Sequence, residues 1–594
     1  MEDTTTYELV RQAEQNDQQG NTLISKYVTF DMRENINKIE AYINSKHISG
    51  DTDSMGRDKP FFNIVTGIVN IWFRATDIDR KNIRIKSTKA EDTIMAFLGT
   101  VHLNQWMRKA NFGVFLNDWG RTLARYGSAV TKFVEKDGEL YAEVVPWNRI
   151  IIDPIDFNAN VKIEVLELTP AQLRKRKGYD KKQVEALIEA TAIRTDMNGQ
   201  NKDNKSGYIK LYEVHGELPE SYITGKDKDD DTYTQQMHVV SFVQGNGTNQ
   251  FDNFTLISGH ESRDPYMISH LIKEDGRSMA IGAVEHLFEA QWMMNHSVKA
   301  IKDKLDLASK LIFQTSDGSF VGQNALNAIE TGDIMIHAVN QPITQVNNGS
   351  HDISSLQAFG QQWQQIAQNI TSTPDALMGN NAPSGTAWRQ VEALQQEAHS
   401  LFELMTENKG LAIEEMMRAY VLPFLKKKLN NADEVAASLD VHGIDKIDAK
   451  YIKNEAIRRE NNKAIDSILN GEVAQPLDLP GAEKQIQGEL DDMGGQRFYK
   501  PSDISWKEEF KNFEWDVEVD VTGEASFSKE DMATLNTVLQ TIAGNPMVLQ
   551  DPNAKMVFNK ILSLTGAISP VELQSIPAPQ PAQQMPQEQP APIQ

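Results

Sequence analysis

Three groups of charged residues have the types and spacing to do chemistry, and each also has a plainer reading. Asp227, Asp229 and Asp231 alternate as at the opening of a calcium-binding loop. Such a loop needs glycine at its sixth position and a bidentate glutamate at its twelfth. Thr232 and His238 stand there instead, so a solvated hairpin tip is the better assignment. Glu514, Asp516, Glu518 and Asp520 fall on one face of an alternating strand, with Phe513, Trp515, Val517, Val519 and Val521 on the other. Four carboxylates could hold a metal, but no histidine or second acidic cluster lies near them in sequence, and a solvated acidic face explains the alternation. Lys299, Lys302, Lys304 and Lys310 gather near the end of a helical stretch. Rings of them could touch phosphates; equally, they complement the negative end of the helix dipole beside Asp303 and Asp306.

Signatures of enzymes are missing. A nucleotide-driven motor needs a G-x-x-x-x-G-K-[ST] loop to cradle phosphates, whereas Gly225-Lys226 lacks the upstream glycine and is followed by Asp227. The 12 histidines form no H-E-x-x-H pair, and no G-x-S-x-G elbow occurs. There is no cysteine, which excludes thiol catalysis, disulfides and zinc ribbons. An ATPase or nuclease is therefore the weaker reading, and neither a cofactor nor a metal is expected.

A chain of 594 residues divides into about four compact parts. At 40% hydrophobic and 24% charged it can bury several cores. Its net charge of -23 argues against gripping nucleic acid over the whole surface, since phosphate neutralisation needs clustered lysine and arginine. No apolar run approaches the roughly 20 residues that span a bilayer, so no membrane partner is expected.

The elements that position these groups are mainly helical, in an α+β pattern. A Gln- and Asn-rich lead, 1–58, reads as an arm with one helix from Met32 to Ser45. Two helical stretches lie between Ala90 and Tyr126, and strands from Ala129 to Glu135 and Glu139 to Val145 flank Asp137-Gly138, a tight-turn dipeptide. Pro146-Trp147-Asn148-Arg149-Ile150-Ile151-Ile152-Asp153-Pro154 closes that unit. A helix is predicted from Pro170 to about Thr191, followed by strands at Tyr208 to Val214, His238 to Val243 and Phe254 to Ile257.

The most ordered signature follows Gly276. Val284, Leu287, Gln291, Met294, Val298, Ile301 and Leu305 recur at steps of three and four, a heptad stripe with one polar break. A helix from Ser278 to Lys310 would be about 50 Å long. Residues 311–351 read as a small mixed knob. A second helix begins at Ser354, where Ser354 and Gln357 make a capping box, and Leu356, Phe359, Trp363, Ile366 and Ile370 share one face. Its other side carries Gln357, Gln361, Gln362, Gln364, Gln365 and Gln368. A Gly-, Pro- and Asn-rich loop follows Thr373-Pro374, and a third helix runs from Ala387 towards Leu429 with breaks at Gly410 and Pro423. Beyond it come a helix from Ala449 to Leu469, a linker or loosely packed cap from Pro476 to Gly495, two helices between Lys529 and Leu564, and a Pro- and Gln-rich tail, 575–594, that cannot bury a core.

In this order of elements the chain resembles the portal proteins of tailed bacteriophages. Trp147-Asn148-Arg149-Ile150-Ile151-Ile152-Asp153-Pro154, Thr331-Gly332-Asp333-Ile334 and Ser372-Thr373-Pro374-Asp375-Ala376-Leu377-Met378-Gly379 carry the resemblance. It implies a wing, 59–277; stem helices, 278–310 and 352–373; a clip, 311–351; a tunnel loop, 374–386; a long wing helix, 387–430; and a crown or C-terminal region, 431–574. It further implies a ring of twelve copies at one capsid vertex of the virion, assembled in the host cytoplasm. Double-stranded DNA would pass through the channel during packaging and ejection. The implied partners are the major capsid protein, terminase large subunit, head-tail adaptor or tail proteins and scaffolding protein. Asn380, Asn381 and Ser384 would offer the loop's neutral hydrogen-bonding groups to DNA, with Lys299, Lys302 and Lys304 on the stem. The competing class is another non-enzymatic virion or scaffold assembly protein, such as an adaptor or a cellular coiled coil.

Overall fold

The computed structural model describes residues 2–54, 56–86, 93–192, 207–225, 232–244, 251–308, 313–316, 318, 338–345, 353–373, 388–431, 435–438, 441–471, 473, 476–492, 496–499 and 513–519. The chain divides into two compact units. Met1–Arg80 with Met107–Met416 form one, and Lys81–Trp106 with Met417–Gln594 form the other. Every described strand pair is antiparallel, which makes the class α+β.

The first unit opens with α1 (Glu2–Gln19), the hairpin β1 (Asn21–Ser25) and β2 (Val28–Asp31), and α2 (Met32–Ile43). This corrects the reading of 1–58 as a peripheral arm. Val10 is buried in a core with Ile151, Ile163, Tyr212 and Val214. Arg33 fastens the lead further: Nε donates to Asp17 at 2.7 Å, and the guanidinium donates to the carbonyls of Trp147 and Ile150 at 3.3 and 3.0 Å. Ser45 is left-handed, so α2 stops at Ile43 rather than at Ser45.

Next come α3 (Val65–Ala75), then β3 (Ile83–Lys86) in the second unit and α4 (Thr93–Lys109), followed by α5 (Phe112–Tyr126). β4 (Ser128–Lys136) and β5 (Glu139–Val145) form the predicted hairpin, with Asp137 and Gly138 both at positive φ. The Trp147 segment leads into β6 (Ile150–Ile151), and Trp147 is buried with its indole donating to the Ser128 carbonyl at 3.0 Å. β7 (Lys162–Leu168) follows, a strand the pattern reading missed. The helix predicted from Pro170 is two, α6 (Pro170–Lys175) and α7 (Lys181–Ala192), parted where Gly178 takes positive φ. β8 (Ile209–Pro219), α8 (Ser221–Thr224), β9 (Tyr233–Gln244), β10 (Phe251–His260) and β11 (Tyr266–His270) complete two sheets, ordered β10-β9-β8-β7-β6 and β11-β4-β5. The hairpin tip holding Asp227, Asp229 and Asp231 falls outside the described residues.

A buried ionic network ties those sheets together. Lys132 of β4 donates to Glu164 of β7 at 2.6 Å and pairs with Glu213 of β8 at 2.9 Å. His215 touches Glu213 at 2.9 Å and Glu261 at 2.8 Å, Tyr266 donates to Glu164 at 2.8 Å, and Lys162 pairs with Asp264.

α9 (Ala283–His286), α10 (Phe288–Ala308), β12 (Phe313–Gln314), β13 (Thr344–Gln345), α11 (Ile353–Ile370) and α12 (Trp388–Met416) finish this unit. Gly282, which caps α9, lies against the α5–β4 junction so closely that an added Cβ would meet the Arg125 carbonyl, the Gly127 nitrogen and, at 2.6 Å, the Tyr126 carbonyl carbon. All of these are backbone atoms that cannot swing aside. Gly282→Ala is expected to cost about 3 kcal/mol through overpacking, seen as an earlier thermal unfolding transition.

In the second unit β3 pairs with β16 (Asp516–Val519), and Phe513, Trp515, Val517 and Val519 are buried as their alternation requires. Glu514 and Glu518 are exposed and Asp516 is half-buried, in line with a solvated acidic face. The turn Met417–Val421 is a π-helix leading into α13 (Leu422–Asn431), which removes the conflict Pro423 would cause in a regular helix. Gly410 breaks nothing. β14 (Val435–Ser438), α14 (Val441–Leu469), α15 (Leu479–Asp491) and β15 (Gln496–Tyr499) follow, with β14 paired to β15. α15 replaces the linker expected from Pro476: Ala482, Ile486 and Leu490 pack on Ile452 and Ala456 of α14. The helices predicted after Lys529 and the tail lie outside the described residues.

Candidate assembly and channel site

The helix predicted from Ser278 to Lys310 begins later, because 277–282 is held in a non-helical path by distant partners. Ser278 donates through Oγ to the Asp153 carbonyl at 2.6 Å and through its backbone to the Pro154 carbonyl at 2.8 Å, while the Ala280 nitrogen donates to Ser128 Oγ at 2.8 Å. Arg277 makes a two-pronged bond to Glu285, at 2.8 and 2.9 Å, and lies over the Phe30 ring. Helix then forms in two pieces, α9 and α10, which meet at Leu287.

The seam residues divide by burial along this path. Val284, Leu287 and Met294 are buried in the chain's own core. Gln291, the polar break, is buried too and fully engaged: Oε1 accepts from the Ile64 nitrogen at 3.1 Å, and Nε2 donates to the Phe62 carbonyl at 2.7 Å and to Asn295 Oδ1 at 3.0 Å. Asn295 in turn accepts from the Phe62 nitrogen at 3.0 Å. Sequence reasoning missed this clamp, although one amide interrupting an apolar stripe was its signal. Further along, Val298 and Ile301 are half-buried and Leu305 is 51% exposed.

α11 packs on α10 through small residues. A Cβ at Gly360 would stand 3.6 Å from Met294 Sδ and 3.9 Å from Ser297 Cβ, so the backbones approach closely there. The buried residues of α11 are Gly360, Ala367 and Gln368, which takes Gln368 out of the exposed glutamine row. Gln357, Gln361, Gln362 and Gln365 remain exposed and Gln364 is half-buried. Leu356, Trp363 and Ile366 are half-buried, Phe359 is 38% exposed and Ile370 50% exposed. α11 already contains Ile353, so Ser354 is its second residue and not its cap. At its other end Thr371 accepts from the Trp72 indole at 3.0 Å and bonds Thr373 side chain to side chain at 2.8 Å.

Of the lysines singled out, Lys302 is exposed and donates to the Asp58 carbonyl at 3.0 Å, while Lys299 and Lys304 are half-buried. Arg57 pairs with Asp303 at 3.3 Å beside them. The cluster is thus partly committed to the segment 53–58. Asn380, Asn381 and Ser384 lie outside the described residues, as does most of 311–351; within it β12 pairs with β13. Lys409 of α12 is buried, donates to the Thr76 carbonyl and lies 5.5 Å from the Trp119 ring; burial lowers its pKa to about 8.

Among the described residues no cluster of histidine, aspartate and glutamate is arranged to hold a metal, and no helix is long and apolar enough to cross a membrane. Comparison of the sequence with protein-family models and with curated proteins finds no match to either.

Proposed function

We propose that this chain is a structural portal subunit, a non-enzymatic virion protein whose copies close into a ring, twelve by resemblance. The carrying observation is the set of apolar side chains that the α10–α11 pair leaves uncovered. Val284, Leu287 and Met294 are buried in the chain's own core, while Trp292, Leu305, Phe359 and Ile370 are left 55, 51, 38 and 50% exposed. Exposed apolar side chains of this kind fit burial against neighbouring copies, and one surface meeting a different surface of its neighbour closes a ring. Exposed glutamines beside these side chains suit a channel wall, being hydrogen-bonding and uncharged. In this reading the ring sits at one capsid vertex, double-stranded DNA passes through it, and terminase large subunit and tail proteins dock on it. The energy for packaging comes from the partner's nucleotide hydrolysis.

Negative-stain imaging of the purified chain tests the reading directly. Rings with a central hole are the expected result; uniform monomers or filaments would overturn it.

A further inference from the structure

A cavity of about 690 Å³ runs along α5, away from the helix pair. Its lining spans Asn111 to Arg125, about 20 Å of helix. Facing that wall are β5 and the Pro146–Asn148 segment. β5 is an edge strand: among the described residues it pairs with β4 alone, which leaves its outer row of backbone groups open to a further strand.

The two ends of the groove differ chemically. Arg121 and Arg125 stand one helical turn apart at one end, and neither makes a hydrogen bond or ion pair among the described residues. The Nε of Arg125 is buried without a partner. Arg121 is exposed and Arg125 half-buried, and burial together with the Arg121 charge lowers the Arg125 pKa, so an anion bridging the two would offset their repulsion. Towards the other end stand Asn111, the buried Phe115 and Val114, which is 62% exposed. Glu40, Asp118 and Glu143, the last paired with Lys136, also line the cavity, which disfavours a ligand carrying negative charge along its whole length.

We propose that this groove binds an extended peptide that adds a strand to β5, seats apolar side chains against Val114 and Phe115, and places one carboxylate on Arg121 and Arg125. At roughly 3.3 Å per residue, about six residues fill its length. The occupant is a peptide segment because a free anion would use only the arginine end and leave the edge strand open.

The test uses the full-length chain and does not depend on ring formation. The probe is a fluorescein-labelled hexapeptide of alternating valine and threonine, amidated, with glutamate as its last residue. Fluorescence anisotropy should show binding that weakens at least tenfold when the glutamate is changed to glutamine or lysine. It should also weaken at least tenfold for Arg121→Gln/Arg125→Gln and for Val114→Asp, each checked by circular dichroism for an unchanged fold. Equal binding of the three peptides, or unchanged binding by the arginine variant, overturns the proposal. So does thermal stabilisation by inorganic phosphate without any binding of the peptide.

Discussion

For the proposed ring, Phe359→Asp/Trp363→Asp is expected to leave the chain folded and turn rings into monomers. The two rings meet edge to face at 6.3 Å on α11, outside the line of Gly360 and Ala367 that faces α10. Fold and assembly should therefore separate at this point. Burying the two aromatic side chains against a neighbour contributes about 1.5–3 kcal/mol each. Two carboxylates in the same place add a desolvation penalty of several kcal/mol. Together these weaken each contact by about a thousandfold or more. Light scattering after size-exclusion chromatography gives the mass, and circular dichroism reports the fold. Rings of unchanged mass would remove α11 from the interface.

The second large effect is on stability. Lys132→Met leaves Glu164 and Glu213 buried beside one another without their shared cation, a loss of about 3–5 kcal/mol. It should appear as a lower urea midpoint for the transition of the first unit. Replacing Lys132, Glu164 and Glu213 together by apolar residues of similar volume should recover most of it, because no charge is then left unpaired. The pH dependence has two signs. Burial alone would raise the Glu213 pKa, but His215 and Lys132 together hold it down at about 2, so its contribution is present above pH 4.5 and fades as pH falls from there. Burial alone would lower the His215 pKa, but Glu213 and Glu261 together raise it. Its contribution is full below pH 6.5 and is lost as pH rises through the raised value. Unfolding midpoints measured across pH 3–9 should thus be highest between about pH 4.5 and 6.5, and His215→Gln should flatten the alkaline side.

Strict local patterns were legible in the sequence. The Asp137-Gly138 hairpin, the alternation from Phe513 to Val519 and the helices α5, α10 and α11 follow from spacing or turn chemistry alone. What stayed hidden depends on partners distant in the chain. α1 is polar and has little periodicity; it is fixed by Val10 and by Asp17 meeting Arg33. β7 mixes Lys162, Glu164 and Glu167 with its apolar residues because two of those charges are themselves buried and find charged partners on other segments. The start of α9 was misplaced because Ser278 and Ala280 bond to residues more than a hundred positions earlier. In the candidate site, the stripe was visible, but its division into a core half and an exposed half was not. That division is set by Phe62 and Ile64 reaching Gln291 and Asn295, and no periodicity encodes it.

The amide clamp at Gln291 and Asn295 also makes α10 a cantilever. Its near end is built into the protein by three hydrogen bonds to the Phe62–Ile64 backbone and a buried apolar core, whereas past Val298 its footing on 53–58 among the described residues is the surface contacts of Lys302 with Asp58 and of Asp303 with Arg57. A sideways push near Leu305 is therefore resisted by bending of the helix itself, with the greatest moment falling where the two amides grip the Phe62–Ile64 backbone.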